Sequence, residues 1–504
     1  MNNKLIAFFI LTLIAHFNKA YAIIDFNENC KKSFEYTIAL DHVKSIEYLS
    51  KEIAANPNNS AISYIKTYEA FLNYITNGNQ KSLDDFDDIK EIAIDNISDE
   101  SDDNPYKLYL LADIYLQESI ISSLRKSYIS AIYQYKKSYG IINDNIEKFP
   151  DFIPNYKTHG INQVAIGSIP KNYGWALNML GISGDVSEGF INLEKSVSYT
   201  KDNDEYNYLF IESILVYTFL YDNFSNQSIK NKILEDAYNN DDFVEKYKNN
   251  LMYIFARTSY FLHNKQNDKA IKSLEIVKTN PTRVSNDFCF LNYQYGLCLI
   301  YKLDFSSSKY FTTYIKNYPA NNYKAASHQK IAWAKLLSDN LNRYKAEMVI
   351  IKDVEAEFYD SDKQAKKEAN SEDIPNVHLL KSRMLFDGGY YDKAIKELQN
   401  GQNLNNYTSD RNKIEYIYRL GRIYDESDHF DNAEKYYLQT IEKARDKKYF
   451  YAAKSALQLG YRYEEMGKLD KAKEMYELIL KLDFDEYQNG ITQKAKAGLS
   501  RIKN

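Results

Sequence analysis

The sequence predicts an all-α fold of stacked helix hairpins. Proline and glycine are scarce, at 8 and 17 in 504 residues, which disfavours turn-dense β folds and favours long helices joined by short loops. Apolar residues recur at spacings of three and four, as in YKLYLLADIYLQESIISSL. The chain also exceeds the size at which one hydrophobic core keeps growing, so several domains or a repeat array are expected.

The first 22 residues predict a secretory signal peptide. Lys4 precedes a short apolar stretch at 5–17, and Ala-Tyr-Ala at 20–22 forms a cleavage site of small residues. An uncleaved membrane anchor is the alternative, although the stretch is short for a span. We therefore expect an exported protein, located in the periplasm or at the outer-membrane periphery of a bacterium.

The clearest repeated pattern lies near the C-terminus. A glycine, a tyrosine, an alanine and a second tyrosine follow one another at spacings of three, nine and four, and the same spacings return in the next unit. The two copies are Gly421, Tyr424, Ala433 and Tyr437, then Gly460, Tyr463, Ala472 and Tyr476. The pattern resembles the tetratricopeptide repeat, a helix-turn-helix unit whose small residues let the two helices approach. The resemblance implies a tetratricopeptide-repeat-type α-solenoid with a right-handed superhelical twist.

Weaker copies become readable once this register is known. Ala394 and Ala270 take the place of Ala433, and another unit has Gly296 with Ser308 at its small position. The small positions lie 38 or 39 residues apart, whereas the usual period is about 34. One helix or loop of each unit is therefore expected to be longer than the standard.

These signals predict five segments along the chain. They are a signal peptide at 1–22, N-terminal helical hairpins at 23–150, a glycine-rich helix-turn-helix segment at 151–205, degenerate repeats at 206–370 and tetratricopeptide repeats at 371–504.

The glycine-rich segment is predicted to serve helix packing and helix caps. The segment contains Gly167, Gly181, Gly184 and Gly189, which are predicted to end helices or to allow close packing. Pro170 suits the first turn of a helix. Asp185 and Glu188 have the spacing of a capping pair at a helix start. A phosphate-binding loop is the alternative, but the Lys-Ser/Thr or strand context that such loops need is absent. Residues 167–193 are similar to a segment of the inclusion-body clearance family of tetratricopeptide-repeat proteins. That resemblance implies a non-enzymatic adaptor, while the predicted signal peptide separates this chain from the family's cytosolic setting.

No catalytic, cofactor or metal site is predicted. Neither HExxH nor GxSxG occurs, and no two histidines share a helix face at metal-pair spacing. The acidic stretch at 84–103 lacks the spaced ligand loop of a calcium site and reads as a solvated helix face. Basic residues form no run longer than a pair, so nucleic-acid binding is not expected. Cys30, Cys289 and Cys298 are expected to be small buried hydrophobes.

The predicted function is an exported, non-enzymatic scaffold or adaptor in the cell envelope that binds a protein or peptide in the groove of the solenoid. After signal cleavage no integral membrane span is expected, and outer-membrane association is a further expectation. A glycan-binding, outer-membrane-associated protein is the alternative, and an enzyme with a helical-repeat body is a third reading. Five residues are predicted to face the groove: Tyr295, Tyr416, Arg419, Arg422 and Arg462.

Overall fold

A computed structural model describes residues 24–169, 181–224, 231–355, 359–371, 373–400 and 409–502, together with residues 175, 177, 179 and 407. Within this part of the chain the regular elements are helices and no β-strand occurs, which confirms the all-α prediction. None of the described helices is both long and apolar enough to cross a membrane. The predicted signal peptide, residues 1–22, and Pro170 lie outside the described residues.

The chain divides into two compact units, and the division falls between residues 256 and 257. The helices of the first unit are α1 (Glu28–Ile38), α2 (His42–Ala55), α3 (Ala61–Asn77), α4 (Gln80–Ser98), α5 (Pro105–Leu124), α6 (Tyr128–Lys148), α7 (Asn155–Gly167), α8 (Val186–Lys201), α9 (Phe210–Phe224), α10 (Lys232–Asn239) and α11 (Asp241–Tyr247). The division itself lies within α12 (Leu251–His263).

The second unit continues with shorter and then longer helices. They are α13 (Asn267–Ser273), α14 (Ile276–Thr279), α15 (Pro281–Asp287), α16 (Phe290–Tyr301), α17 (Ser307–Asn317), α18 (Lys324–Leu337), α19 (Leu341–Asp353), α20 (Asp360–Asn370), α21 (Val377–Asp387), α22 (Tyr391–Gln399), α23 (Asp410–Glu426), α24 (Phe430–Ala444), α25 (Tyr451–Glu465), α26 (Leu469–Lys481) and α27 (Gln488–Arg501).

Neighbouring helices of the first unit pack as pairs, α1 with α2, α3 with α4, α5 with α6 and α7 with α8. Their starts are capped by polar side chains that accept hydrogen bonds from first-turn N–H groups. The capping residues of α1, α2, α4 and α5 are Asn27, Asp41, Asn79 and Asn104. Each cap satisfies donors that the helix cannot pair itself, which is worth about 1 kcal/mol.

Glycines allow α7 and α8 to make a very close contact. A Cβ atom added at Gly160 would lie 2.8 Å from Leu193 Cγ, and one added at Gly189 would lie 2.9 Å from the Gly160 carbonyl oxygen. A Cβ atom added at Gly184 would lie 2.6 Å from the Gln163 carbonyl oxygen. Only a hydrogen fits at these positions, because a methyl group would overlap the backbone of the facing helix.

The remaining predicted glycines lie at the same junction. A Cβ atom added at Gly167 would lie 2.9 Å from Val186 Cγ2, whereas Gly181 has open space around it and a left-handed φ of +65°. Asp185 caps α8, since its Oδ1 accepts from the N–H of Glu188 at 3.0 Å. The reciprocal half of the predicted capping pair is made differently, because the Asp185 N–H donates to Gln163 Oε1 at 2.7 Å.

We predict that Gly184→Ala destabilises the first unit by about 2 kcal/mol, because the added methyl group must push α7 and α8 apart. Urea unfolding followed by circular dichroism measures the change. The control is Gly140→Ala, at a position in α6 where an added Cβ meets nothing within 4 Å. Alanine there is expected to stabilise the helix by up to about 1 kcal/mol. Equal destabilisation by both variants would contradict the packing role.

A buried charged network joins four helices of the first unit. Lys157 of α7 forms ion pairs with Asp113 of α5, at 2.9 Å, and with Glu212 of α9, and each of the three side chains is only 3% exposed. Tyr64 of α3 donates to Asp113 at 2.8 Å, and Tyr68 donates to Glu212 at 2.7 Å. Burial raises the pKa of Glu212, while Lys157 opposes that shift. The lysine therefore lies where two buried carboxylates need its charge.

Lys157→Met is expected to destabilise the protein by about 3–5 kcal/mol, because it leaves two buried carboxylates without a cation. Chemical denaturation measures the free energy of unfolding of Lys157→Met and of a comparison variant, Glu212→Gln. The glutamine keeps an oxygen for the Tyr68 hydroxyl and leaves one carboxylate paired with Lys157, so its cost is expected to stay near about 1 kcal/mol. A similar cost for the two variants would show that the charge of Lys157 is unimportant.

The hairpins of the second unit are α16 with α17, α18 with α19, α21 with α22, α23 with α24 and α25 with α26, and α27 packs beside the last of them. A glycine of the first helix lies against an aromatic ring of the second helix in three hairpins. These pairs are Gly296 with Phe311, Gly421 with Tyr437 and Gly460 with Tyr476. At Gly421 an added Cβ would lie 2.9 Å from the ring, so a larger residue would separate the helices.

The predicted small residues of the second helices are fully buried, namely Ala270, Ala394, Ala433 and Ala472. Tyr463 is buried and Tyr424 half-buried. In the hairpin of α16 and α17 the fully buried small residue is Ser307, one position before the predicted Ser308. The facing ring is also one position earlier, since Phe311 follows Gly296 by 15 residues whereas Tyr437 follows Gly421 by 16. The long period arises because α23 has 17 residues and α24 has 15, followed by a connection at 445–450.

Candidate functional site

A cavity of about 960 Å³, here called the inner cavity, lies within the second unit. One face each of α18, α21, α23 and α25, the first helices of successive hairpins, lines it together with α27 and α20. Helix α20 is an extra element between two hairpins and packs on α18 and α19. Asp362 of α20 accepts hydrogen bonds from the N–H groups of Tyr323 and Ala326 at 2.6 and 2.8 Å, which fixes it against the start of α18.

Among the described residues that line the inner cavity, cationic side chains outnumber carboxylates, although the whole chain has a formal net charge of −5. The nine cations are Lys265, Lys330, Lys367, Arg383, Arg411, Arg419, Arg422, Lys454 and Lys494. The seven carboxylates are Asp360, Glu368, Asp373, Asp387, Asp410, Glu415 and Glu486. The cavity is therefore a positively charged region of an acidic protein.

Aromatic rings hold several of these cations in place. The Arg383 guanidinium lies 4.9 Å from the centre of the Trp333 ring, and Lys330 Nζ lies 3.8 Å from the same centre. The Arg422 guanidinium lies 5.0 Å from the centre of the Phe386 ring. Cation–π contacts of this kind restrict the side chains without neutralising them. The rings therefore limit the positions that these cations can adopt in the cavity.

Some of the cations are paired with carboxylates. Arg419 forms an ion pair with Glu415, and Tyr451 donates to Glu415 at 2.9 Å. Burial opposes ionisation of Glu415, but Arg419 outweighs it and lowers the pKa of the carboxyl. Arg411 pairs with Glu486 at 2.9 Å. These pairs form one side of the cavity, where the charges nearly balance.

Two further cations differ from these pairs, whereas Arg422 is partly compensated because its Nη2 pairs with Glu426 at 3.0 Å. Among the described residues, no carboxylate lies within 4 Å of the ammonium group of Lys454 or of Lys494, and buried Nε of Arg422 has no hydrogen-bond acceptor. Lys265 has only a distant pair with Asp387, at 3.6 Å. We call Lys265, Arg422, Lys454 and Lys494 the cation cluster. All four side chains line the inner cavity.

Charge repulsion is visible in the acid–base properties of Lys454. Burial, followed in importance by the charges of Arg422, Lys494 and Lys265, lowers the pKa of Lys454 to about 7. Burial also lowers the pKa of Lys330, and Arg383 adds to that effect. Keeping such groups charged has a cost that a bound anion would offset.

The structure places two of the five predicted groove residues in the inner cavity, Arg419 and Arg422. The cavity face of α23 passes through Arg411, Glu415, Tyr418 and Arg422 at spacings of four, three and four. Tyr416 is rotated by about 100° from that face and contacts the Tyr407 ring instead.

The other two predicted groove residues also lie outside the cavity lining. Tyr295 is 2% exposed and packs edge-on against Tyr310, so it belongs to the core. Arg462 turns toward α23, where its Nε donates to Asp425 Oδ1 at 2.6 Å. Neither residue lines the inner cavity, because the prediction identified the helix but not the rotation of the side chain about the helix axis.

Sequence reasoning missed Lys330, Trp333, Lys454 and Lys494. The repeats did contain one signal for this lining. Arg422 directly follows the small residue Gly421 of its first helix. When the hairpins are aligned, Arg383 and Trp333 occupy the position equivalent to Arg422. That position recurs on the inner face of successive first helices. Lys454 and Lys494 carry no comparable signal, because their neighbourhood is created by residues distant in sequence.

A family model described as tetratricopeptide repeat matches residues 414–445 and 453–486. These ranges correspond to the hairpins α23 with α24 and α25 with α26. The chain therefore contains tetratricopeptide repeats, and such repeats suggest a scaffold for protein–protein interaction. No curated protein matches the chain. The similarity of residues 167–193 to the inclusion-body clearance family stays a prediction.

We predict that Lys454→Met stabilises the protein by about 1 kcal/mol at pH 7, because it removes a repelled cation from the cation cluster. In the native protein the pKa of Lys454 is about 7, below the unfolded value of about 10.4. The unfolded state then binds more protons between these two values, so native stability rises with pH across that window. The advantage of the variant is expected to shrink toward pH 10.

Urea unfolding at pH 7 and pH 10 measures this difference. Lys443→Met is the control, since Lys443 is exposed on α24 and outside the cavity lining. It is expected to leave the free energy of unfolding unchanged at both pH values. Destabilisation by Lys454→Met at pH 7 would contradict the repulsion.

Proposed function

We propose that the second unit binds an acidic, extended segment of a partner protein in the inner cavity. The single observation that carries this proposal is the cation cluster, in which Lys454 and Lys494 have no carboxylate partner among the described residues. The tetratricopeptide repeats support a protein as the ligand. The surplus of positive charge supports an acidic one.

The spacing of the hairpins suits an extended chain. Adjacent packed helices lie about 8–10 Å apart, and an extended chain advances about 3.3 Å per residue. A segment crossing the first helices would therefore meet a new hairpin about every third residue. Arg383 and Arg422 occupy equivalent places on two successive hairpins, so two acidic side chains at that interval would each meet an arginine.

We further propose that the protein is exported and acts as a non-enzymatic adaptor in the cell envelope. The predicted signal peptide supports export. The glycan-binding alternative receives less support from the cavity, since Trp333 is 1% exposed and Lys330 and Arg383 lie against its ring. A sugar would find no free indole face there.

Export is tested by the mass of the protein isolated from cell-envelope fractions of its native host. Loss of residues 1–22 is the expected result. A full-length chain in the cytoplasm would overturn the proposal of export without affecting the proposed ligand.

The proposed ligand is tested with fluorescein-labelled poly-L-glutamate, measured by fluorescence anisotropy at low salt. Binding is expected, together with a strong decrease in affinity as the salt concentration rises, because the contacts are between charges. Lys454→Ala combined with Lys494→Ala is expected to weaken binding by about tenfold or more, at roughly 1 kcal/mol per lost charge.

The matched control is Lys443→Ala combined with Lys496→Ala, which removes two exposed lysines outside the cavity lining. This control has the same net charge as the test variant and is expected to bind like the unaltered protein. Equal loss in both variants would indicate attraction by net charge alone. Absence of poly-L-glutamate binding would overturn the proposed function.

A further inference from the structure

The cation cluster is assembled from four separate elements of the second unit. Lys265 lies in the turn after α12, and Arg422, Lys454 and Lys494 lie on α23, α25 and α27. Lys265 Nζ and the Arg422 guanidinium lie 5.3 and 5.0 Å from the centre of one ring, that of Phe386. These two cations and Phe386 line the same cavity as Lys454 and Lys494.

The two carboxylates beside the cation cluster already pair with cations, two of which, Arg422 and Lys265, belong to the cluster itself. Glu426 pairs with Arg422 at 3.0 Å, and Asp387 pairs with Lys265 at 3.6 Å and with Arg383 at 3.9 Å. Glu426 is the carboxylate that favours the charged form of Lys454, and three cations oppose it. Among the residues that the structure describes, no carboxylate pairs with Lys454 or Lys494.

The remaining titratable group beside the cluster is His263 at the end of α12. Burial lowers its pKa, and Lys265 and Lys494 lower it further. The imidazole is consequently neutral at and above neutral pH and contributes no negative charge. Nothing among these neighbours can balance Lys454 when the cavity is empty.

We propose that the cation cluster is a subsite for two adjacent carboxylates of the bound segment, and that filling it places a proton on Lys454. This inference rests on the proposed function. In the empty cavity a fraction of Lys454 is the neutral amine. Two carboxylates entering the cluster make the ammonium form favourable, and the proton comes from solvent buffer. Binding and protonation are thus coupled, and each promotes the other.

The coupling gives the affinity a distinctive pH dependence. A pKa of about 7 for Lys454 in the empty protein and obligatory protonation in the complex lead to an affinity for poly-L-glutamate about 25-fold weaker at pH 8.5 than at pH 6.5. The glutamate side chains stay ionised across this range, since their pKa is about 4.3. The slope therefore comes from the protein.

The first measurement is titration of the full chain with poly-L-glutamate at these two pH values. Calorimetry at pH 8 in HEPES and in Tris then detects proton uptake, because the two buffers release different heats on ionisation. A binding heat that depends on the buffer is expected. Binding of equal strength at both pH values with no buffer dependence would overturn the subsite while leaving the proposed function intact. No binding at either pH would overturn both.

Lys454→Arg distinguishes an effect of protonation at this position from a purely structural effect of the substitution. A guanidinium stays protonated across the range, so this variant is expected to bind at pH 6.5 and to lose most of the pH dependence. The matched control is Lys330→Arg, which alters a lysine of the same cavity that lies on the Trp333 ring, outside the cation cluster. It is expected to retain the full slope. An unchanged slope in Lys454→Arg, or a slope lost only in Lys330→Arg, would overturn the proposal.

Discussion

The second unit depends on the close approach of two helices within each hairpin. A glycine of the first helix lies under a tyrosine ring of the second, as Gly421 does under Tyr437. The ring then reaches across the hairpin, and its hydroxyl donates to Asp425 of the first helix at 2.8 Å. The next hairpin repeats the bond between Tyr476 and Glu464 at 2.7 Å. Because these contacts fix the rotation of each first helix, they also determine which side chains face the inner cavity.

The sequence was most informative where this constraint is local. The spacings around Gly421 and Ala433 predicted the hairpins, because a small residue and an aromatic ring must meet across one turn. The cavity lining was much less predictable, since a rotation of about 100° separates Tyr416 from the face it was assigned to. Lys157 was missed for a different reason. Its buried partners lie on helices distant in sequence. A lysine within an amphipathic pattern is ordinarily predicted to lie on the solvent-exposed face of the helix.

The two units use buried charge in opposite ways. In the first unit Lys157 is held between two carboxylates and hydrogen-bonded tyrosines, so its charge supports the packing of four helices. In the second unit Lys454 lies near other cations, and their repulsion lowers the stability of the native state. Unfavourable groups retained at a cavity are typical of binding sites, where stability is lower than it could be. The contrast makes the inner cavity the part of the chain least explained by folding alone.

Repeat arrays ordinarily couple only adjacent repeats, so a disturbance at one end fades before it reaches the other. The cation cluster departs from that rule. Lys265 comes from the beginning of the second unit and Lys494 from its last helix, yet both line one cavity. In the proposed complex, an anion bound between them would link the beginning and the end of the array without a covalent bond. Binding would then stabilise the intervening hairpins together, and not only the repeats that contact the ligand.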